Sequence, residues 1–155
     1  MSKPTFYISA PFDTYSGYGA RSRDIIKAII ELEKYDVKLI PQKWGDTTWG
    51  FCAKHEEWKF LWNSAVQGIP QGIQPDVWMQ ITIPNEFQPM GKFNIGCTAG
   101  IESTGCTGDW IVGLNRMNMN FVSSKHSKHI FENIEFDALD QNKKSTGQKI
   151  RNQKP

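Results

Sequence analysis

One unit constrains this chain more than any other. A short apolar strand, a glycine-containing loop, an amphipathic helix and a second strand all fall within residues 5–41. Thr5–Ala10 is rich in strand formers and ends at Pro11. The FDTYSGYG segment follows, and a helix is expected from about Gly19 to Lys34. Ile25, Ile29 and Leu32 form its apolar stripe, while Arg23, Lys27, Glu31 and Lys34 lie mainly elsewhere. Val37–Pro41 then reads as the second strand. Two strands joined through a helix pair in parallel, so the unit predicts a parallel α/β sheet.

The rest of the chain extends that sheet. Asp76–Thr82, Phe93–Thr98 and Asn120–Ser123 read as further strands. Residues 54–66 can form a helix with Trp58, Leu61, Trp62 and Ala65 on one face. Asp109 is expected to cap a helix over Trp110–Met117, and Ser124 one over Lys125–Asn133. The fold class is therefore α/β, a three-layer Rossmann-like parallel sheet over residues 1–139. Residues 140–155 are polar and are expected to form a basic tail without fixed structure, or a linker. With 39% hydrophobic and 22% charged residues, a chain of 155 residues can bury a core.

Charge and cysteine usage exclude several functions. The formal net charge of +2 is unevenly placed: residues 143–155 hold five basic side chains and no acid. The other 142 residues hold 13 basic and 16 acidic groups, so the body is mildly acidic and offers no strong nucleic-acid signal. Cys52, Cys97 and Cys106 are widely spaced, which points to free thiols in a reducing cytoplasm rather than a disulfide or zinc framework. No apolar run is long enough to span a membrane.

Candidate chemistry gathers in the loops that follow strands. Ser16-Gly17-Tyr18-Gly19 lies at a helix N-terminus, where backbone amides can meet an anion. It matches neither the dinucleotide nor the P-loop glycine pattern. Arg21 and Arg23 could pair with phosphate, although a solvated helix face is the default reading. Gly100-Ile101-Glu102 follows the fourth strand, at the edge where open α/β sheets bind ligands. Asn85 and Glu86 follow the third strand and reach the same edge. Trp44 and Trp49, with Asp46, Thr47 and Thr48, offer a polar and aromatic surface that could stack on a sugar, while packing of the helix against the sheet is the commoner use of such tryptophans. His126 and His129 lack a carboxylate that would complete a metal site, so no metal is expected.

Two stretches, YISAPFDTYSGYGARSRDIIKAI and CTAGIESTGCTGDWIVGLNRMNMNFVSSKHSKHIFEN, carry a resemblance. Their order resembles the N-terminal domain of family-4-like glycosyltransferases, which have two Rossmann-type domains in the GT-B arrangement. The match runs over roughly residues 5–134. It rests on the glycine loop, the GIE segment, Trp110, Asn115-Arg116-Met117-Asn118 and the segment Val122–Phe131. Ser123 stands where the family usually has proline, and Asn118 where aspartate is common.

The resemblance implies transfer of a sugar from a nucleotide-sugar co-substrate to an acceptor hydroxyl, with retention at the anomeric carbon. It implies no tightly bound cofactor and no divalent metal. Carried onto this chain, Gly17 and Gly19 would lie on the phosphate side, with Ser124 and Lys125 in a cleft-facing segment. Glu102 would be the catalytic or orienting carboxylate, and Trp49, Asn85 and Glu86 would meet a carbohydrate or glycosylated acceptor. The 155 residues contain neither a second Rossmann pattern nor the family's E-x7-E donor segment. The expectation is therefore an acceptor-side domain, inactive alone, whose donor half another chain would supply. A non-catalytic binding or structural protein reusing the half-fold is the alternative. An oxidoreductase is disfavoured by the missing dinucleotide spacing.

Overall fold

The computed structural model describes residues 1–100 and 103–155. Five strands form one parallel sheet: β1 (Thr5–Ala10), β2 (Asp36–Pro41), β3 (Val77–Ile81), β4 (Phe93–Thr98) and β5 (Met119–Val122). Their order is β2-β1-β3-β4-β5. The chain moves outward from β1 to β2 and then crosses back to place β3 on the other flank of β1. Phe6 is in register with Val37 on one side and Val77 on the other. This reversal creates a topological switch point beside β1, and ligands of open α/β sheets bind in the crevice outside the carboxyl ends there.

Strand alternation divides the core between the two faces of the sheet. Phe6, Ile8 and Ala10 of β1 join Met79, Ile81, Ile95 and Cys97 in one buried cluster. Helix α1 (Gly17–Glu31) covers part of this face through Ile26, with Ile25 and Ile29 packed at the margin. Tyr7 and Trp78 point the other way and meet Phe87, Ile111, Leu114, Met117 and Phe131. Ile111 and Leu114 come from α3 (Gly108–Asn115) and Phe131 from α4 (Lys125–Asn133), while Phe87 and Met117 lie in the connecting segments. Helices on both faces of a parallel sheet make the three-layer Rossmann-like architecture expected from the sequence.

Several boundaries differ from expectation for identifiable reasons. Helix α1 begins two residues early because Ser16 caps it, its hydroxyl oxygen accepting from the Gly19 amide at 2.9 Å. Asp109 does not cap α3; Thr107 occupies the cap position, and Asp109 lies in the first turn. Residues 54–66 do not form one α-helix. A short helix α2 (Phe51–Lys54) leads into a 3-10 stretch, Glu56–Ser64. Within that stretch Leu61 is fully buried while Trp62 is 43% exposed, so the four apolar residues do not share one buried stripe.

The expected polar tail is instead folded. β6 (Glu135–Leu139) and β7 (Ser145–Arg151) form an antiparallel hairpin. Asp140 organises its turn, Oδ1 accepting from the amides of Asn142 at 2.8 Å and Lys144 at 2.9 Å. Lys149 pairs with Asp137 at 2.6 Å and Arg151 with Glu135 at 2.8 Å, which answers part of the basic charge across the strands. Phe136 and Ile150 pack onto the second core cluster. One cross-strand apolar pair thus anchors a segment whose mean composition reads as disordered.

Candidate functional site at the carboxyl edge of the sheet

The loop after β1 is held by buried charged side chains. Arg23 was expected on a solvated or phosphate-facing surface, yet only 4% of it is exposed. Its Nη1 donates to the carbonyls of Phe12 at 2.8 Å and Thr14 at 3.0 Å, and its guanidinium lies 3.5 Å over the Phe51 ring. Burial holds the Arg23 pKa below its ordinary value. Asp13 is also buried and accepts from the Cys52 amide at 2.8 Å and the Gly50 amide at 3.3 Å. Burial, aided by Asp13, pushes the Cys52 thiol up to about 12. Arg23 and Asp13 thus clamp the β1–α1 loop to the segment around α2.

The two glycines of this loop differ in role. A side chain at Gly19 would run into the Thr14 carbonyl, so this position is small for close packing. A side chain at Gly17 would meet open space. Gly17 is therefore the glycine of the pair around which a ligand has room to approach α1.

Tyr18, between them, spans the edge. Its hydroxyl lies 3.0 Å from Thr98 Oγ1 at the end of β4 and accepts from the Ala99 amide at 3.0 Å. Its ring stacks on Trp44, with centroids 3.9 Å apart and planes 24° from parallel. The loops after β1, β2 and β4 are joined through this one side chain. The sequence offered only a weak signal for it, a tyrosine flanked by two glycines.

A cleft of about 410 Å³ opens beside Trp44, bordered by Lys43, Asp46, Thr47, Ile83 and Glu86. The turn carrying Asp46 is closed by Thr47, whose amide and hydroxyl both donate to the Trp44 carbonyl, at 3.1 and 2.6 Å. The opposing wall is the 3-10 segment Pro84–Glu86. Gln80 Nε2 donates to the Glu86 carbonyl at 2.9 Å, and Arg116 Nη1 donates to the carbonyls of Asn85 and Phe87 at 3.3 and 3.2 Å. The Thr82 hydroxyl donates to Glu86 Oε2. Both the backbone and the carboxylate of Glu86 are consequently fixed.

The remaining sequence candidates fall around this edge without converging on one point. Asn85 and Trp49 do not border the cleft. Trp49 is 37% exposed and bridges Thr14 in a short antiparallel contact. Ser124 caps α4, its Oγ accepting from the Ser127 amide at 3.0 Å, and Lys125 is exposed in the first turn. The Ser123 and Ser127 hydroxyls donate to the Ala99 carbonyl at 2.6 and 3.4 Å, which ties the start of α4 to the loop after β4. Glu102 lies outside the described residues. His126 Nε2 is 3.2 Å from the Ser103 carbonyl, whereas His129 Nδ1 is 3.2 Å from Asn133 Nδ2, so the two imidazoles have separate neighbours.

Ser123 and Asn118 both have local partners. Ser123 uses the hydroxyl just described, which proline would lack. Asn118 Oδ1 accepts from the Asn94 amide at 2.8 Å and from Asn94 Nδ2 at 3.2 Å. An acceptor oxygen is what that position supplies, and asparagine provides one.

The fold and its edge define a Rossmann-like α/β domain with a polar and aromatic cleft beside the switch point. No protein-family model, curated protein or solved structure matches the chain. Among the described residues, no helix is long and apolar enough to cross a membrane.

Proposed function

We propose that this domain is the acceptor-side half of a retaining glycosyltransferase and binds a saccharide at the carboxyl edge of its sheet. The observation that carries the reading is the Glu86–Trp44 cleft. A carboxylate held by the Thr82 hydroxyl and an aromatic residue braced by Tyr18 border the same cleft. Carboxylates accept hydrogen bonds from sugar hydroxyls, and indole surfaces pack on the C–H patches of sugar rings. The start of α1 at Gly17 offers open backbone for donor phosphate, and its resemblance to the glycosyltransferase glycine loop supports the same assignment. Glu102 is proposed as the orienting carboxylate and Lys125 as a charge near the donor.

Transfer requires donor and acceptor to be held in one geometry by groups around both. This sheet edge supplies one side of such a cleft, and a separate donor-binding unit would supply the other. The nucleotide-sugar enters as co-substrate. The test is calorimetric titration of the chain with a saccharide panel and with nucleotide-sugars, alongside an assay for donor hydrolysis. Saccharide binding without turnover is expected. Robust sugar transfer or hydrolysis by the chain alone would contradict the half-site reading, and absence of any saccharide binding would contradict the acceptor assignment.

A further inference from the structure

We infer that the cleft beside Trp44 selects a sugar ring that bears no acidic group, with Asp46 and Glu86 as the residues that reject anionic sugars; this rests on the saccharide reading above. The cleft, about 410 Å³, lies within the size range of small-molecule sites. Its borders carry two carboxylates, Asp46 and Glu86, against one ammonium, Lys43. An added carboxylate or phosphate on the ligand would face an excess of negative charge, whereas a neutral polyol would not.

The donor and acceptor chemistry is equally directional. Thr82 holds Glu86 Oε2 and so orients the carboxylate, leaving Oε1 to accept from a ligand hydroxyl. Asp46 stands at the turn closed by Thr47 and adds a second acceptor group. Lys43 supplies a donor, and Ile83 with Trp44 supplies apolar surface for ring carbons. Trp44 cannot swing freely, because Tyr18 occupies one face of its indole at 3.9 Å. A hydroxyl-rich, uncharged ring satisfies all of these groups. The phosphates of a nucleotide-sugar would add negative charge beside Asp46 and Glu86 and fit this cleft less well.

The test uses matched sugar pairs of gluco, galacto and manno configuration, each as the neutral hexose and as its C6-oxidised uronate. Binding is followed by amide and indole chemical shifts of the isotopically labelled full chain. Neutral sugars are expected to shift the Trp44 indole and the Glu86 amide, with uronates binding roughly fivefold more weakly. The double variant Asp46→Asn with Glu86→Gln is expected to remove that difference, since glutamine can still accept from Thr82. Uronates binding the native chain as tightly as the hexoses would overturn the inference and leave the saccharide reading intact. So would sugars that shift other edge residues but neither Trp44 nor Glu86. No shift from any sugar at any residue would remove both.

Discussion

The Tyr18 hydroxyl lies 3.0 Å from Thr98 Oγ1, joining the first turn of α1 to the carboxyl end of β4 across the switch point. The same oxygen accepts from the Ala99 amide. Tyr18→Phe removes both bonds while keeping the ring that stacks on Trp44. We expect a loss of about 1 kcal/mol in denaturant unfolding and faster amide exchange at Ala99. Unchanged exchange there would show that the hydroxyl does not hold the loop after β4.

Arg23 holds two carbonyls in a nearly dry environment. Arg23→Met keeps much of the apolar stem but leaves the Phe12 and Thr14 oxygens without that donor. Unfolding measurements should show a loss of about 3 kcal/mol. Arg23→Lys should recover only part of it, since a point-like ammonium does not reproduce the planar contact over Phe51.

Gly113 brings α3 against the loop that carries Glu86. A side chain there would collide with the Pro84 carbonyl. Gly113→Ala should cost about 2 kcal/mol or more and displace Pro84–Glu86. Thermal melts check the first effect, and chemical shifts of the Glu86 amide check the second. A variant with native stability and native Glu86 shifts would contradict the close approach.

Asp76 links the start of β3 to β1 and to the preceding turn of β4. It accepts from the Thr5 amide at 2.9 Å and pairs with Lys92 at 2.7 Å. Lys92, followed by the Thr5 amide, holds its carboxyl down at about 2 from an ordinary 3.8. A depressed carboxylate stabilises the fold fully above its unfolded value, and that contribution disappears as pH falls from about 4 through about 2. Asp76→Asn should therefore flatten the acid limb of a stability-against-pH curve in this window. An identical acid limb in the variant would contradict the linkage.

Much of the sheet was legible because its strands alternate or run apolar between turn residues. Phe93–Thr98 falls where the pattern places it, and Ser124 caps α4 as its position predicts. The hairpin was not legible, because Phe136 and Ile150 lie 14 residues apart in sequence and become neighbours only by pairing across the strands. Arg23 was misread because helical periodicity reports which face a residue shares, not that a loop will fold over it. At the candidate site, Glu86 and the polar turn around Asp46 were visible as residue types in edge loops. Their meeting in one cleft depends on the β2-β1-β3 order, a long-range property that local spacing does not encode. Tyr18 was missed for the same reason, since its partner Thr98 is 80 residues away.

Photo-crosslinking with diazirine-bearing disaccharides, followed by peptide mapping, tests the central claim most directly. The account predicts labelling concentrated on residues 43–47 and 83–86, reduced by excess unmodified sugar. Labelling at the amino ends of the strands or on the β6–β7 hairpin, or labelling that excess sugar leaves unchanged, would contradict a saccharide site at the carboxyl edge.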